Sequence, residues 1–333
     1  MMKQAKVQSG KGIGTIAIGE APIPEPGPGE ALVRIKAATL NFRDLIVAKG
    51  LIPGLGKEPD VVPLSCCAAE VVSVGSGVTR VDQGERVVPI FAPFWMTGTT
   101  PDPRMLGGPI DGVARQYAVF DAESLCPLPD ELGDLEGATL ACAALTAWSA
   151  LTAFRPTGAG DWVLAHGTGG VSIAALQLAK AMGAKVAITS SSYAKLARAA
   201  SYGADLCINY RKTPGWAAEV RKALGERPLA NVIDTVGAVQ FDDNVSLLAE
   251  GGQLSAIGML GSDFSWTRMG EQGVNLAPIG VGNREQHEAM TAFIAAHRIR
   301  PVVDVVYDLD RLEDAYRHLE SGQFFGKVGI NLL

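Results

Sequence analysis

The chain has 333 residues, 47% apolar and 19% charged, with a net charge of −6 and an isoelectric point near 5.3. That length exceeds one typical domain and buries a large core; the composition excludes a disordered chain, and the scattered Lys and Arg leave no basic patch for nucleic acid. Residues 1–14 hold no apolar signal core, the apolar run 138–151 is too short to span a bilayer, and five cysteines without scaffold spacing point to a soluble protein in a reducing cytoplasm.

The first third is rich in Gly, Pro and β-branched residues. Residues 22–29 (PIPEPGPG) make a stiff connector. Residues 31–37 alternate as a strand, and 70–75 and 86–90 read as two more. The insert 91–112 is long and rich in Pro and Gly, the kind of loop that is functional or mobile in a compact domain. Its Phe91, Phe94, Trp95 and Met96 either wall an apolar substrate pocket or pin the loop to the domain beneath. A second region begins near Asp130. From Asp161 the pattern predicts strand 162–165, helix 171–182, strand 185–189, helix 193–202, strand 206–209, helix 216–224, strand 231–235, helix 241–248 and strand 253–257. Gly183, Gly203 and Gly251 stand where helices stop. Such alternation implies an α/β fold with a doubly wound parallel sheet. The tail adds helix 286–296, strand 302–306, helix 309–320 and strand 328–332.

The most informative stretch is Ala165–Ser172 (AHGTGGVS), set between an apolar strand and an amphipathic helix. This is the context a dinucleotide-binding loop requires. Gly167 allows the tight turn. Gly169 lets the backbone approach a pyrophosphate, and the N–H groups of Gly170 and Val171 at the helix start bind the anion. Ser172 replaces the third glycine. After the next strand stand Ser190, Ser191 and Ser192, with no carboxylate, and Lys195 follows within one turn. Hydroxyls plus a cation suit a 2′-phosphate, which predicts NADP(H); the alternative is a serine-rich helix cap with a solvated lysine.

With these pieces placed, the chain resembles the medium-chain dehydrogenase/reductase family, and most of all its zinc-free branch of quinone oxidoreductases and enoyl reductases. The resemblance rests on ordered segments: 39–45 (TLNFRDL), 69–75 (AEVVSVG), 84–87 (GERV), 145–148 (LTAW), the Gly167 loop, 203–205 with 208–210, and 322–327 (GQFFGK). It implies a GroES-like β-barrel catalytic domain from 1–129 and 284–333 around a Rossmann cofactor domain at 130–283, with substrate entering between them, and a homodimer paired through the last Rossmann strand.

Zinc-dependent relatives hold their catalytic metal with a Cys, a His-Glu pair and a second Cys. The matching positions here are Asn41, Ser65-Cys66 and Cys142. Asn and Ser are poor zinc ligands, so no metal is expected; the alternative is a site on Cys66, Cys67 and Cys142. Cys66 and Cys67 either line the substrate pocket or pack as small apolar groups.

Without a Lewis acid, hydrogen-bond donors must take the charge that hydride transfer develops. In C=C reduction that charge appears on the conjugated carbonyl oxygen, and a neutral amide such as Asn41 is suited to receive it, at about 2.7–4 kcal/mol for one such donor. The resemblance places Asn41 beside the nicotinamide; the alternative is an Asn that only fixes a turn. Arg43 and Asp44 either form a supporting pair or shape the loop. Thr146 resembles the family threonine at the nicotinamide end, or caps a helix. Lys195 and Tyr210 resemble a 2′-phosphate clamp. Phe325, Gly326 and Lys327 resemble the segment near the nicotinamide ribose, and Gly258 lies beyond strand 253–257 on the cofactor side.

These residues imply an NADPH-dependent reductase of enones, 2-enoyl compounds or quinones, acting on a small apolar substrate. An NADP-dependent alcohol dehydrogenase or carbonyl reductase is the second possibility. A non-catalytic NADPH-binding structural or sensor protein is the third.

Overall fold

The computed structural model describes residues 1–258 and 273–332. The chain divides into two compact units, Met1–Leu145 with Val281–Leu333, and Thr146–Gly280.

In the first unit β1 (Met2–Lys6) pairs antiparallel with β2 (Ala17–Ala21). β3 (Glu30–Thr39) leads into α1 (Phe42–Lys49), and β4 (Cys66–Val74), β5 (Arg86–Pro89), β6 (Tyr117–Asp121) and β7 (Leu125–Pro127) follow. β3 is the hub, pairing antiparallel with β4 on one side and with β6. The alternation at 31–37 and at 70–75 marks only parts of β3 and β4. Ala38 and Thr39 of β3 and residues 66–69 of β4 are buried, so no polar beat shows there.

The first unit extends to Leu145 rather than to 129. The short helix α2 (Asp134–Gly137) lies on its sheet: the Thr39 hydroxyl donates to Ala138 O at 2.6 Å, and Arg86 donates to Asp134 at 2.8 Å. Gly137 packs so closely that a Cβ there would lie 2.7 Å from the Leu128 methyls. Long-range packing of this kind leaves no local mark in sequence.

The second unit opens with α3 (Leu145–Thr152), then alternates through β8 (Trp162–His166), α4 (Gly170–Ala181), β9 (Lys185–Ser190), α5 (Tyr193–Ser201), β10 (Leu206–Asn209), α6 (Trp216–Leu224), β11 (Leu229–Asp234), α7 (Phe241–Leu247), β12 (Leu248–Ala256) and β13 (Asn275–Pro278). The strand order is β10-β9-β8-β11-β12-β13, parallel throughout. The order reverses between β8 and β11, the point where open α/β sheets bind ligands beyond their strand ends.

The tail returns to the first unit as α8 (Arg284–Ala296), β14 (Val303–Asp308), α9 (Leu312–Ser321) and β15 (Lys327–Asn331). Asn283 caps α8, its side chain accepting from Gln286 N at 2.9 Å while Gln286 accepts from Asn283 N at 3.0 Å, a reciprocal cap that starts the helix earlier than the predicted 286. β15 pairs antiparallel with β3, Gly329 opposite Thr39. Ile35, Leu40, Leu64, Tyr316 and Val328 are fully enclosed in the resulting core, each apolar side chain worth about 1.5–3 kcal/mol. Among the described residues no helix is long and apolar enough to cross a membrane.

Candidate active site

In the Thr146–Gly280 unit, β8 ends at His166 and Gly167 turns with φ +74°, a conformation that glycine adopts without steric cost. Gly169 is the N-cap of α4 and offers no side-chain acceptor, so among the described residues the first-turn N–H groups of Gly170 and Val171 receive no side-chain cap from it. Ser172 is buried, and its hydroxyl donates to His166 O at 2.6 Å. It therefore ties the helix start to the strand end where the motif has glycine. Thr235, which the sequence did not single out, donates to the same carbonyl at 2.8 Å. His166 is itself buried. Asn244 Oδ1 can only accept, so the ring carries its proton on Nε2 (2.7 Å), and Nδ1 accepts from the Thr189 hydroxyl at 3.1 Å. Burial pulls its pKa below the ordinary value, keeping the ring neutral under the loop.

Ser190 closes β9, and its hydroxyl accepts from Ser192 N at 3.3 Å. Ser192 caps α5 by accepting from Lys195 N at 3.4 Å, so the serine cluster does cap a helix, while Ser191 and Lys195 stay partly exposed beside it. Tyr210 N donates to Ser190 O at 3.2 Å, and its ring packs against the core of this unit. Asn209 belongs to the 208–210 segment but had no assigned role. Its amide donates to Ser191 O at 3.3 Å, and its Oδ1 accepts from Arg211 N at 3.1 Å and Lys212 N at 3.3 Å. It thus couples the turns after β9 and β10. Gly258 donates its N–H to Asp234 O at 2.8 Å. A Cβ there would stand 2.3 Å from Val236 C, so only glycine fits. Thr146 is buried in the first turn of α3, its hydroxyl 3.5 Å from Gly280 O. It is not an N-cap, because the π-type turn Leu140–Ala144 runs directly into that helix.

The first unit gathers a compact polar cluster. Asn41 is the N-cap of α1, held by its N–H donating to Asp44 Oδ2 at 2.7 Å. The Asn41 amide donates to Ser65 Oγ at 3.2 Å and to Cys66 Sγ at 3.1 Å. Lys327, only 5% exposed, donates from Nζ to Leu40 O and to Asn41 Oδ1. Burial works to raise the Cys66 thiol, but donation from the Cys142 thiol, the Lys327 charge, and the Asn41 and Ser65 donors together bring it below the usual thiol range. The bond to Cys66 and burial push Cys142 up. Cys67 points to the other face of β4 and joins the core, where burial raises its thiol; it packs and does not line the cluster.

Three expectations change here. Asn41 has two amide N–H groups and both are engaged, so it is not the open donor the sequence suggested. Arg43 and Asp44 do not form a supporting pair. Arg43 donates to Leu106 O at 2.7 Å and Gly108 O at 2.6 Å and lies 4.9 Å over the Phe91 ring, while Asp44 holds the Asn41 turn, its carboxyl pushed up by burial against the charge of Arg43. The ring of Phe325 is unavailable to a ribose because it is fully buried; Gly326 has φ +75° and packs on Val302, and Lys327 turns to Asn41.

The insert 91–112 is anchored as well. Phe91, Ala92 and Trp95 form a satellite core with Met105, Cys142 and Val281, and Trp95 Nε1 donates to Gly98 O at 3.1 Å. These rings pin the loop; Cys142 is the only member shared with the polar cluster.

Zinc does not fit this donor set. The cluster offers two thiols joined by a hydrogen bond, an amide, a hydroxyl and an ammonium, where zinc takes thiolate, imidazole or carboxylate. An ammonium beside the sulfurs repels a second cation. Among the described residues no group of three His, Cys, Asp or Glu stands ready to hold a metal.

Residues 27–130 match the alcohol dehydrogenase GroES-like domain, and residues 170–296 match the family described as zinc-binding dehydrogenase. A zinc-type alcohol dehydrogenase-like protein of Schizosaccharomyces pombe is 39% identical over 317 residues, covering 92% of this chain and 91% of that protein. A crystal structure of an NAD-dependent alcohol dehydrogenase superposes with TM-score 0.87 at 30% identity over 100% of both chains. A mycobacterial protein solved with NADPH superposes with TM-score 0.83 at 25% identity, over 99% of this chain and 100% of that one. The fold and these matches define an oxidoreductase of the alcohol dehydrogenase type. The chain belongs to the medium-chain dehydrogenase/reductase family, with its GroES-like domain and its Rossmann-like parallel sheet.

Proposed function

We propose that this oxidoreductase uses NADPH to reduce an activated C=C bond, in an enone, a 2-enoyl compound or a quinone, and works without zinc. The observation that carries this reading is the Asn41–Ser65–Cys66–Cys142–Lys327 cluster, which offers an internal cation and hydrogen bonds at the positions that match metal ligands in zinc-dependent relatives. A carbonyl as hydride acceptor normally relies on a metal for polarisation. A conjugated C=C bond needs only that charge on a more distant oxygen be stabilised.

Bound in the second unit, the cofactor would supply a hydride to the β-carbon and solvent water the proton, giving a saturated carbonyl compound from an enone or 2-enoyl substrate and a hydroquinone from a quinone. Gly167, Gly169, Gly170 and Val171 present backbone N–H groups to the pyrophosphate. Ser190 and Ser191 with Lys195 receive the 2′-phosphate, and a carboxylate, which would repel it, is absent from 190–192. Tyr210 and Gly258 shape the same sheet end, and Thr146 stands at the nicotinamide side. The same reading makes the protein a homodimer through β13, the last strand of the sheet among the described residues; sedimentation checks it.

The names of the relatives favour a second reading, alcohol oxidation or carbonyl reduction. Turnover of an α,β-unsaturated ketone with NADPH, after dialysis against a chelator, separates the two. The expected product is the saturated ketone at an undiminished rate; an allylic alcohol, or activity lost to the chelator and restored by zinc, contradicts the proposal.

A further inference from the structure

An ammonium carries three N–H donors. Lys327 gives two of them to Leu40 O and Asn41 Oδ1, and no third acceptor is found among the described residues. The two amide donors of Asn41 are engaged by Ser65 and Cys66. The group expected to receive developing negative charge therefore has no donor left, while the buried cation behind it has one.

We infer that Lys327 is the electrophile of the site, its third N–H donating to the substrate's carbonyl oxygen as that oxygen becomes negative. The inference rests on the reading of activated C=C reduction and names the residue that makes it work. Two bonds to fixed acceptors hold Nζ in place before any substrate arrives, which is the preorganisation that gives such donors their effect. Enclosure strengthens the field of the charge, since little water screens it. The neighbours Asn41, Ser65, Cys66 and Cys142 are those that match the metal-binding positions of zinc-dependent relatives, so a lysine side chain supplies the positive charge a metal would bring. The ammonium hydrogen-bonds and transfers no proton. The hydride adds to the β-carbon, the π pair moves onto the oxygen, and solvent water protonates the α-carbon, so Lys327 ends the cycle unchanged.

The test compares Lys327→Met, which keeps length and loses charge, with Lys327→Arg, which keeps charge. On an enone that wild type reduces, Lys327→Met lowers kcat by about 100-fold or more, with KM, NADPH affinity by fluorescence, and melting temperature close to wild type. Lys327→Arg recovers at least about a tenth of wild-type kcat. A methionine variant that folds and keeps kcat within about threefold overturns the inference. A second readout needs no turnover: cadmium titration followed by the thiolate–metal ultraviolet band. Lys327→Met binds cadmium more tightly than wild type by about tenfold or more, and Cys66→Ser in that background abolishes the band; equal affinity in wild type and variant overturns the claim that the ammonium stands in a metal's place. Wild type that reduces no enone contradicts the proposed function instead, and the cadmium comparison still decides the lysine.

Discussion

In the Thr146–Gly280 unit the candidate nucleotide contacts, Thr146 on α3 apart, lie at or just beyond the ends of strands in short runs of chain: 166–172 at β8, 190–195 at β9, 209–212 at β10. In the other unit Lys327 and Asn41 are 286 residues apart. They meet because β15 pairs with β3, Gly329 opposite Thr39, and Cys66 joins them because it too stands opposite Thr39 across β3 and β4. One site is assembled from turns and the other from strand register. A turn fails alone when one residue changes. A register-built cluster fails together, because a slip of one residue turns every side chain to the opposite face.

Several measurements break or sharpen that contrast. The largest effect is expected at the pinned loop of the first unit. Trp95→Ala removes a buried ring from the satellite core and costs about 3–5 kcal/mol, read as early proteolysis within 91–112, while NADPH affinity holds. An unchanged cleavage pattern would show that the Trp95 ring does not hold the loop.

Acid follows. His287 in the first unit is fully buried, and burial lowers its pKa from 6.5 to about 4. The folded state thus binds the proton less readily than the unfolded chain, so stability is complete above pH 6.5 and falls as pH drops toward 4. The loss approaches about 3 kcal/mol. Urea unfolding of His287→Leu between pH 6.5 and 4.5 should show a shallower decline than wild type; parallel curves remove this histidine from the account.

Lys195→Ala acts on the turn-built site only. It should weaken NADPH binding about 10- to 100-fold, the worth of one charge-assisted hydrogen bond, and leave NADH binding nearly unchanged; equal loss for both cofactors contradicts the 2′-phosphate role. The smallest change is Gly167→Ala. Nothing lies within 4 Å of the added methyl, so only the positive φ resists, at about 1–2 kcal/mol. NADPH affinity falls modestly and melting temperature drops by a few degrees; an unchanged melting temperature would remove the strain argument.

The same contrast explains what was legible in the sequence. Strand and helix alternation and the glycine turn are local, and Ser191 and Ser192 follow β9 directly, so these stand where the pattern put them. Asn41 and Cys66 were also found, through segment resemblance. Their partners were not, because hydrogen bonds depend on strand pairing that no local pattern records: the Asn41 amide faces Cys66, and Lys327 faces Asn41. Arg43 and Asp44 are adjacent in sequence, yet a helix start sends them apart, one to the loop carbonyls and the other back to its own cap. Asn209 was given no role of its own because an Asn at a strand end is ordinary, and only the bond to Ser191 O gives it meaning. The domain edge near 145 was missed because α2 packs by contact rather than by composition.

The central claim is that hydride reaches a carbon of an activated double bond. The most direct measurement uses NADPH deuterated at C4 of the nicotinamide, in the transferred position, with an α,β-unsaturated ketone, and locates the label in the product by NMR. Deuterium on the carbon β to an intact carbonyl is the predicted result. Deuterium on a carbinol carbon, with the double bond retained, would contradict the account.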